Sequence, residues 1–289
     1  MNLKKLFVYS SLLFVLVACK KTKTGTGDSI AAKTMLDVAY GTDPLQKMDI
    51  YLPANRSITN TKVIVLIHGG AWTSGDKVDF NAAVDTLKKR LPDYAIFNIN
   101  YRLAIAPSTN LFPTQETDVK SAMEFIYGNA SIYLISNKWA FLGASAGAHL
   151  AMLQAYKYSS PLKPKVVASL FGPSDMADMY TNPAGGNPVL SGLVAALMGG
   201  TPAAVPALYS SSSPVTYIGA SSPATILIHG GLDPIVRPQQ SMAVQAKLII
   251  AGVTNQYVFY PTGGHGDWDA ATYTDTFNKI QAFLSVNNP

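Results

Sequence analysis

The feature that most constrains this chain is a series of short, unbroken apolar runs rich in β-branched residues, separated by longer stretches of helical periodicity. The runs lie at 63–67, 95–101, 138–142, 165–170, 224–228 and 256–260. A strand covered on both faces reads as a continuous apolar run, whereas a half-exposed strand alternates. The helix-like stretches are 79–90, 116–127, 146–158, 239–251 and 271–284. Alternation of this kind predicts an α/β fold, a mostly parallel central sheet with helices on both faces. Two shorter strand candidates, 35–38 and 48–51, flank a turn at Gly41-Thr42-Asp43-Pro44. Segment 173–223 breaks the rhythm and is rich in Gly, Pro, Ser, Ala and Met. A structureless loop of that length is uncommon in a compact domain, so the segment is expected to be a cap-like insertion carrying short helices. One domain, 34–289, accounts for everything after the first segment.

That first segment has its own logic. Lys4 and Lys5 precede an apolar run of thirteen residues, 6–18. A bilayer span needs about 20 apolar residues, so the run fits a signal peptide, 1–18, better than a membrane helix. It ends in Leu16-Val17-Ala18-Cys19, and Cys19 is the single cysteine of the chain. The pattern resembles the lipobox of bacterial lipoproteins, which implies cleavage before Cys19 and its lipidation. Acyl chains at that residue then hold the protein at a membrane. Lys20 after the cysteine points to the outer membrane of a Gram-negative cell, with the domain facing the periplasm or the surface. Residues 19–33 then read as a lipidated residue and a flexible tether. The alternative is an ordinary secretory signal.

Composition removes several classes of function. One cysteine excludes a disulfide framework and a Cys-based zinc site. A hydrophobic content of 48% excludes wholesale disorder. A net charge of +5 over 289 residues is too diffuse to point to nucleic acid.

The chemistry lies in motifs. Gly143-Ala144-Ser145-Ala146-Gly147 stands between the strand at 138–142 and the helix at 146–158. That context is what a nucleophile elbow requires, a serine on a tight strand-to-helix turn facing a helix N-terminus. His68-Gly69-Gly70-Ala71-Trp72 follows the strand at 63–67. Glycines there let backbone N–H groups approach an oxyanion, with Gly70, Ala71 and Ala146 as the expected donors. Trp72 either walls a substrate pocket or packs beneath it. A serine hydroxyl needs a base, and the base an orienting acid. Of the histidines at 68, 149, 229 and 265, the last stands in Thr262-Gly263-Gly264-His265-Gly266, where small neighbours let the imidazole project. His68 and His149 read as structural.

In their joint order these pieces resemble the α/β-hydrolase esterases, particularly the branch with an HGG oxyanion motif. That branch includes hormone-sensitive-lipase-like enzymes and bacterial feruloyl or acetyl esterases. The resemblance covers about 48–284. It is carried by His68-Gly69-Gly70-Ala71-Trp72, Asn100-Tyr101-Arg102-Leu103, Gly143 to Leu150, and Asp233 with Gly264-His265-Gly266. The order serine, acid, histidine of these enzymes selects Asp233 as acid and His265 as base, with Asp175 as the rival acid. Ala144 stands where relatives often carry Asp or Glu, and Ala148 where Gly is frequent. The resemblance also implies that Arg102 and Asp118 pair behind the oxyanion loop.

The expected activity is therefore hydrolysis of short-chain or carbohydrate-linked esters through an acyl-enzyme, without metal or organic cofactor. Three alternatives use the same residues or the same fold. A serine peptidase or arylformamidase has the same triad, a lipase would carry an apolar lid over 173–223, and a non-catalytic surface lipoprotein would only bind.

Overall fold

A computed structural model describes residues 29–289. The expectations for the signal peptide, Cys19 and most of the tether fall outside those residues. Eight strands form one sheet: β1 (Lys33–Ala39), β2 (Lys47–Leu52), β3 (Lys62–Ile67), β4 (Tyr94–Ile99), β5 (Trp139–Ala144), β6 (Val166–Leu170), β7 (Ala224–Gly230) and β8 (Asn255–Tyr260). The helices are α1 (Asn81–Arg90), α2 (Thr114–Gly128), α3 (Ala130–Tyr133), α4 (Ala146–Lys157), α5 (Met176–Thr181), α6 (Pro188–Met198), α7 (Pro206–Ser211), α8 (Gln239–Ile250) and α9 (Ala270–Asn287). Strand order is β1-β2-β4-β3-β5-β6-β7-β8. The pairs β1–β2 and β2–β4 are antiparallel, and the remaining pairs are parallel.

The continuous apolar runs follow from burial on two faces. In β3, Val63, Val65 and Ile67 join one core with Phe97, Phe141, Val167, Leu150, Met123 and Val244, contributed by neighbouring strands and by α2, α4 and α8. The intervening Ile64 and Leu66 join the other with Val84 and Leu87 of α1 and Ile280 and Phe283 of α9. A period of two therefore assigns each residue of a wholly apolar strand to a definite layer.

Several boundaries differ from the sequence reading. β4 stops at Ile99, so Tyr101 and Arg102 lie on the loop beyond its end. β7 runs on to Gly230, two residues past the expected run, and His229 at its end is buried. The chain enters α1 through a 3-10 turn at Lys77–Phe80, whose Asp76 cap accepts the Val78 N–H. Segment 173–223 carries α5, α6 and α7. It packs on α4 and on the loop that leads into α2, with the Phe112 N–H donating to the Leu197 carbonyl at 3.1 Å and Lys157 reaching the Ser211 carbonyl at 3.0 Å. Among the described residues no helix is long and apolar enough to cross a membrane.

Candidate active site

The parallel strands deliver their C-terminal ends to one edge of the sheet, where open α/β sheets hold their ligands. Ser145 sits between β5 and α4 with φ 54 and ψ −121, a conformation that few residues with a Cβ adopt. Its N–H donates to the Leu170 carbonyl at 2.9 Å, and its own carbonyl accepts the His149 N–H at 3.0 Å. The flanking glycines have a steric reason. A Cβ on Gly147 would collide with the Ile67 and His68 carbonyls, and one on Gly143 with the Gly147 backbone. The elbow thus has to press against the end of β3.

Three side chains converge there. The Ser145 hydroxyl donates to Nε2 of His265 over 2.9 Å, and Nδ1–H of His265 donates to Oδ2 of Asp233 over 2.7 Å. The other Asp233 oxygen accepts the N–H groups of Ile235 and Val236 at 2.8 and 2.9 Å. Nε2 of His229 lies 3.3 Å from Asp233 and 2.9 Å from the Val236 carbonyl. Burial alone would raise the Asp233 pKa, but hydrogen bonds from His229, His265 and Val236 outweigh it and hold the carboxyl well below the usual range. Asp233 is therefore ionised at neutral pH, with the histidine tautomer fixed by its donor needs.

The His265 loop is fastened by groups that its sequence did not single out. Trp268 donates to the Gly264 carbonyl at 3.0 Å and Tyr273 to the Gly266 carbonyl at 2.6 Å. The Phe171 ring lies 4.7 Å from the imidazole. These are short-range aromatic contacts, legible in hindsight as the cluster Trp268 and Tyr273 downstream of the histidine. The role of His229 beside Asp233 had no such signal, because a histidine at a strand end does not show in sequence which loop carboxylate it faces.

Gly70 and Ala71 line the same cavity as Ser145, Ala146 opens α4 directly after it, and among the described residues none of their N–H groups has a protein acceptor. Trp72 resolves toward packing. It is 2% exposed and does not line the cavity beside Ser145, so it is not the substrate-binding wall that was one of its two expected roles. Its indole N–H instead donates to Nδ1 of His149. His68 is buried, stacks on Tyr101 at 4.3 Å and bonds the Gly69 carbonyl at 2.7 Å. Burial lowers its pKa, as suits a structural imidazole.

Arg102 and Asp118 do pair. The guanidinium approaches a fully buried carboxylate at 2.6 Å, and Asp118 also accepts from the Arg102 N–H and from Gln46. Asp175 is not the acid of this constellation. It caps α5 by accepting the Asp178 N–H at 3.0 Å. Arg237 pairs with Asp178 at 2.7 Å, tying the acid loop to α5.

A cavity of about 890 Å³ opens beside Ser145 and His265. It runs as an open groove between α1 and α9, with Ala83 and Thr86 on one wall and Tyr273 and Thr274 on the other. Phe80, Phe171 and Phe277 add aromatic surface to its lining. No residue of 173–223 lines it.

A family model described as BD-FAE matches residues 48–248, a span that contains Ser145 and Asp233. The esterase LipC of Mycobacterium tuberculosis is 24% identical over 263 residues, covering 86% of this chain and 64% of the relative. The esterase LipQ of the same organism is 28% identical over 238 residues, covering 78% and 55%. The chain thus spans about half to two thirds of the length of these curated relatives. Among solved structures, a bifunctional GH43-CE protein of Bacteroides eggerthii superposes with a TM-score of 0.73 at 29% identity. That match covers 89% of this chain and 35% of the other.

Proposed function

The chain belongs to the BD-FAE family, and from that premise we propose that it is a serine carboxylic-ester hydrolase acting through an acyl-enzyme. The observation that carries the proposal is the continuous relay from Ser145 through His265 to Asp233, with bonds of 2.9 and 2.7 Å. His265 takes the Ser145 proton as Oγ attacks the ester carbonyl carbon. The carbonyl electrons move onto oxygen, which the N–H groups of Gly70, Ala71 and Ala146 hold. Collapse of that intermediate breaks the bond to the alcohol oxygen, which leaves with the proton from His265. Water then gives its proton to His265 and attacks the acyl carbon, and the acid departs as Ser145 recovers its proton. Asp233 keeps the imidazole oriented and stabilises its cationic form.

The substrates we propose are short-chain or carbohydrate-linked esters. An open groove beside the nucleophile supports this, since a bulky alcohol can reach Ser145 from solvent. The naming of the LipC and LipQ relatives as esterases and of the 29% identical structure as a bifunctional GH43-CE protein supports it as well. The test is a panel of nitrophenyl esters of rising acyl length beside acetylated and feruloylated oligosaccharides, a peptide and an aryl formamide. Turnover of the esters that disappears in Ser145→Ala supports the reading. Turnover confined to the peptide or the formamide replaces it with the amidase alternative.

Export and anchoring through Cys19 at the outer membrane form a separate proposal, supported by Leu16-Val17-Ala18-Cys19 alone. Fatty-acid labelling of the expressed protein, lost in Cys19→Ala, tests it.

A further inference from the structure

His149 stands at a junction of three segments. It lies one helical turn after Ser145 in α4 and is fully buried. Its Nδ1 is 3.2 Å from the indole nitrogen of Trp72, in the oxyanion loop. Its Nε2 is 2.7 Å from the carbonyl of Ser212, in segment 173–223. These partners fix its proton. An indole N–H can only donate and a carbonyl can only accept, so Nδ1 carries the lone pair and Nε2 the hydrogen. Burial acts in the same direction and lowers the pKa to about 4, leaving a neutral ring.

What the ring holds is strained. Ala71 and Trp72 have φ of 52 and 62, two consecutive left-handed residues that both carry a Cβ. Such a pair persists only where the surroundings over-determine it. Trp72 is held at two points. Its carbonyl accepts the Ala104 N–H at 2.9 Å, and its indole is bound by His149, the two rings meeting edge to face at 5.2 Å. The Ala71 N–H, an oxyanion donor in the proposed mechanism, is aimed by the same strained backbone.

We infer that His149 is a positioning residue: by bonding Trp72 on one side and Ser212 on the other, it lets segment 173–223 set the oxyanion loop and so the rate of acyl transfer. The inference rests on the ester-hydrolase reading for its effect on rate. The insertion works from behind the site, through α4, and its contact with the chemistry is one neutral imidazole.

Three variants test this. His149→Phe keeps a flat ring and loses both hydrogen bonds. His149→Gln retains an acceptor and a donor, and Trp72→Phe removes only the indole N–H. For p-nitrophenyl acetate, His149→Phe is expected to lower kcat about 10- to 100-fold with KM within about twofold, the pattern of an interaction made in the transition state. Inhibition by a phenylboronic acid, whose tetrahedral adduct uses the same donors, should weaken in parallel. His149→Gln should recover most of the loss, and the double variant with Trp72→Phe should be no worse than the poorer single one. A second readout is independent of turnover. The Thr73 and Ser74 N–H groups donate to the Gly70 carbonyl at 3.1 and 2.9 Å, and their hydrogen exchange should quicken in His149→Phe and not in His149→Gln. Unchanged kcat, unchanged exchange, or equal losses in the Phe and Gln variants would overturn the inference. A wild-type protein that turns over no ester defeats the functional reading instead, and the exchange comparison still decides whether His149 holds the loop.

Discussion

Asp233 gives one carboxylate oxygen to Nδ1 of His265, at 2.7 Å, and commits the other to two backbone N–H groups of its own loop. The carboxylate is thereby oriented before any substrate arrives. Asp233→Asn should preserve this geometry while allowing the wrong histidine tautomer. A loss in kcat of about 10⁴ is expected, the size seen for the equivalent change in a serine-protease triad. Steady-state kinetics at neutral pH measures it, and a loss below tenfold would show that Asp233 is not the orienting acid.

The Arg102–Asp118 pair is asymmetric, because Asp118 is fully buried while Arg102 reaches solvent. Asp118→Ala leaves the Arg102 N–H, the Gln46 amide and part of a guanidinium without their acceptor. Breaking a buried pair costs about 3–5 kcal/mol, and partial exposure of Arg102 puts the expected loss toward the lower end. Chemical denaturation should show a lower midpoint with unchanged slope.

Backbone sterics at the elbow leave no room for a side chain on the inner glycine. Gly147→Ala forces a methyl group against the Ile67 carbonyl. The expected result is either insoluble protein or a folded protein that no longer reacts with a fluorophosphonate probe. Full labelling of a stable variant would contradict the geometry described for Ser145.

Stability should depend on pH through His149. Its folded pKa of about 4 lies below the unfolded value of about 6.5, so the unfolded chain binds more protons between them. Stability is therefore complete above about 6.5 and declines as pH falls toward 4, by something on the order of 3 kcal/mol. Thermal melts across that window should show the decline, and His149→Gln should flatten it. An equal slope in that variant would assign the effect elsewhere.

The groove between α1 and α9 should set selectivity for the size of the group it receives. Thr274 stands on its α9 wall, and Thr274→Trp narrows it without entering either core. Filling a pocket shifts discrimination by about 10- to 200-fold, so preference for acetyl over octanoyl esters should rise by at least about tenfold. Competition between the two esters gives the ratio directly.

Much of this was legible because local chemistry and chain order agree. A glycine-flanked serine between a strand and a helix can stand only on a turn, and a histidine among glycines can project from one. Asp233 and His265 are 32 residues apart, yet each follows a strand of the same parallel sheet, β7 and β8, which places them side by side. What was not legible depends on which faces meet. Trp72 could have walled a pocket or packed under it, and the outcome turns on His149, 77 residues away. The contact from His149 to Ser212 joins residues 63 apart through a segment with no periodicity to register it. The groove was invisible for a similar reason. Its walls come from two helices, α1 and α9, that are far apart in sequence.

The span between Ser145 and His265, 120 residues, also has a consequence in time. A ribosome adding about 5–20 residues per second needs roughly 6–24 seconds to pass from one to the other. Under the proposed mechanism, the nascent chain carries its serine without its base throughout that interval. On that mechanism reactivity would switch on only when β8 closes the far side of the sheet, leaving a half-made copy chemically silent toward the esters of the cell that builds it.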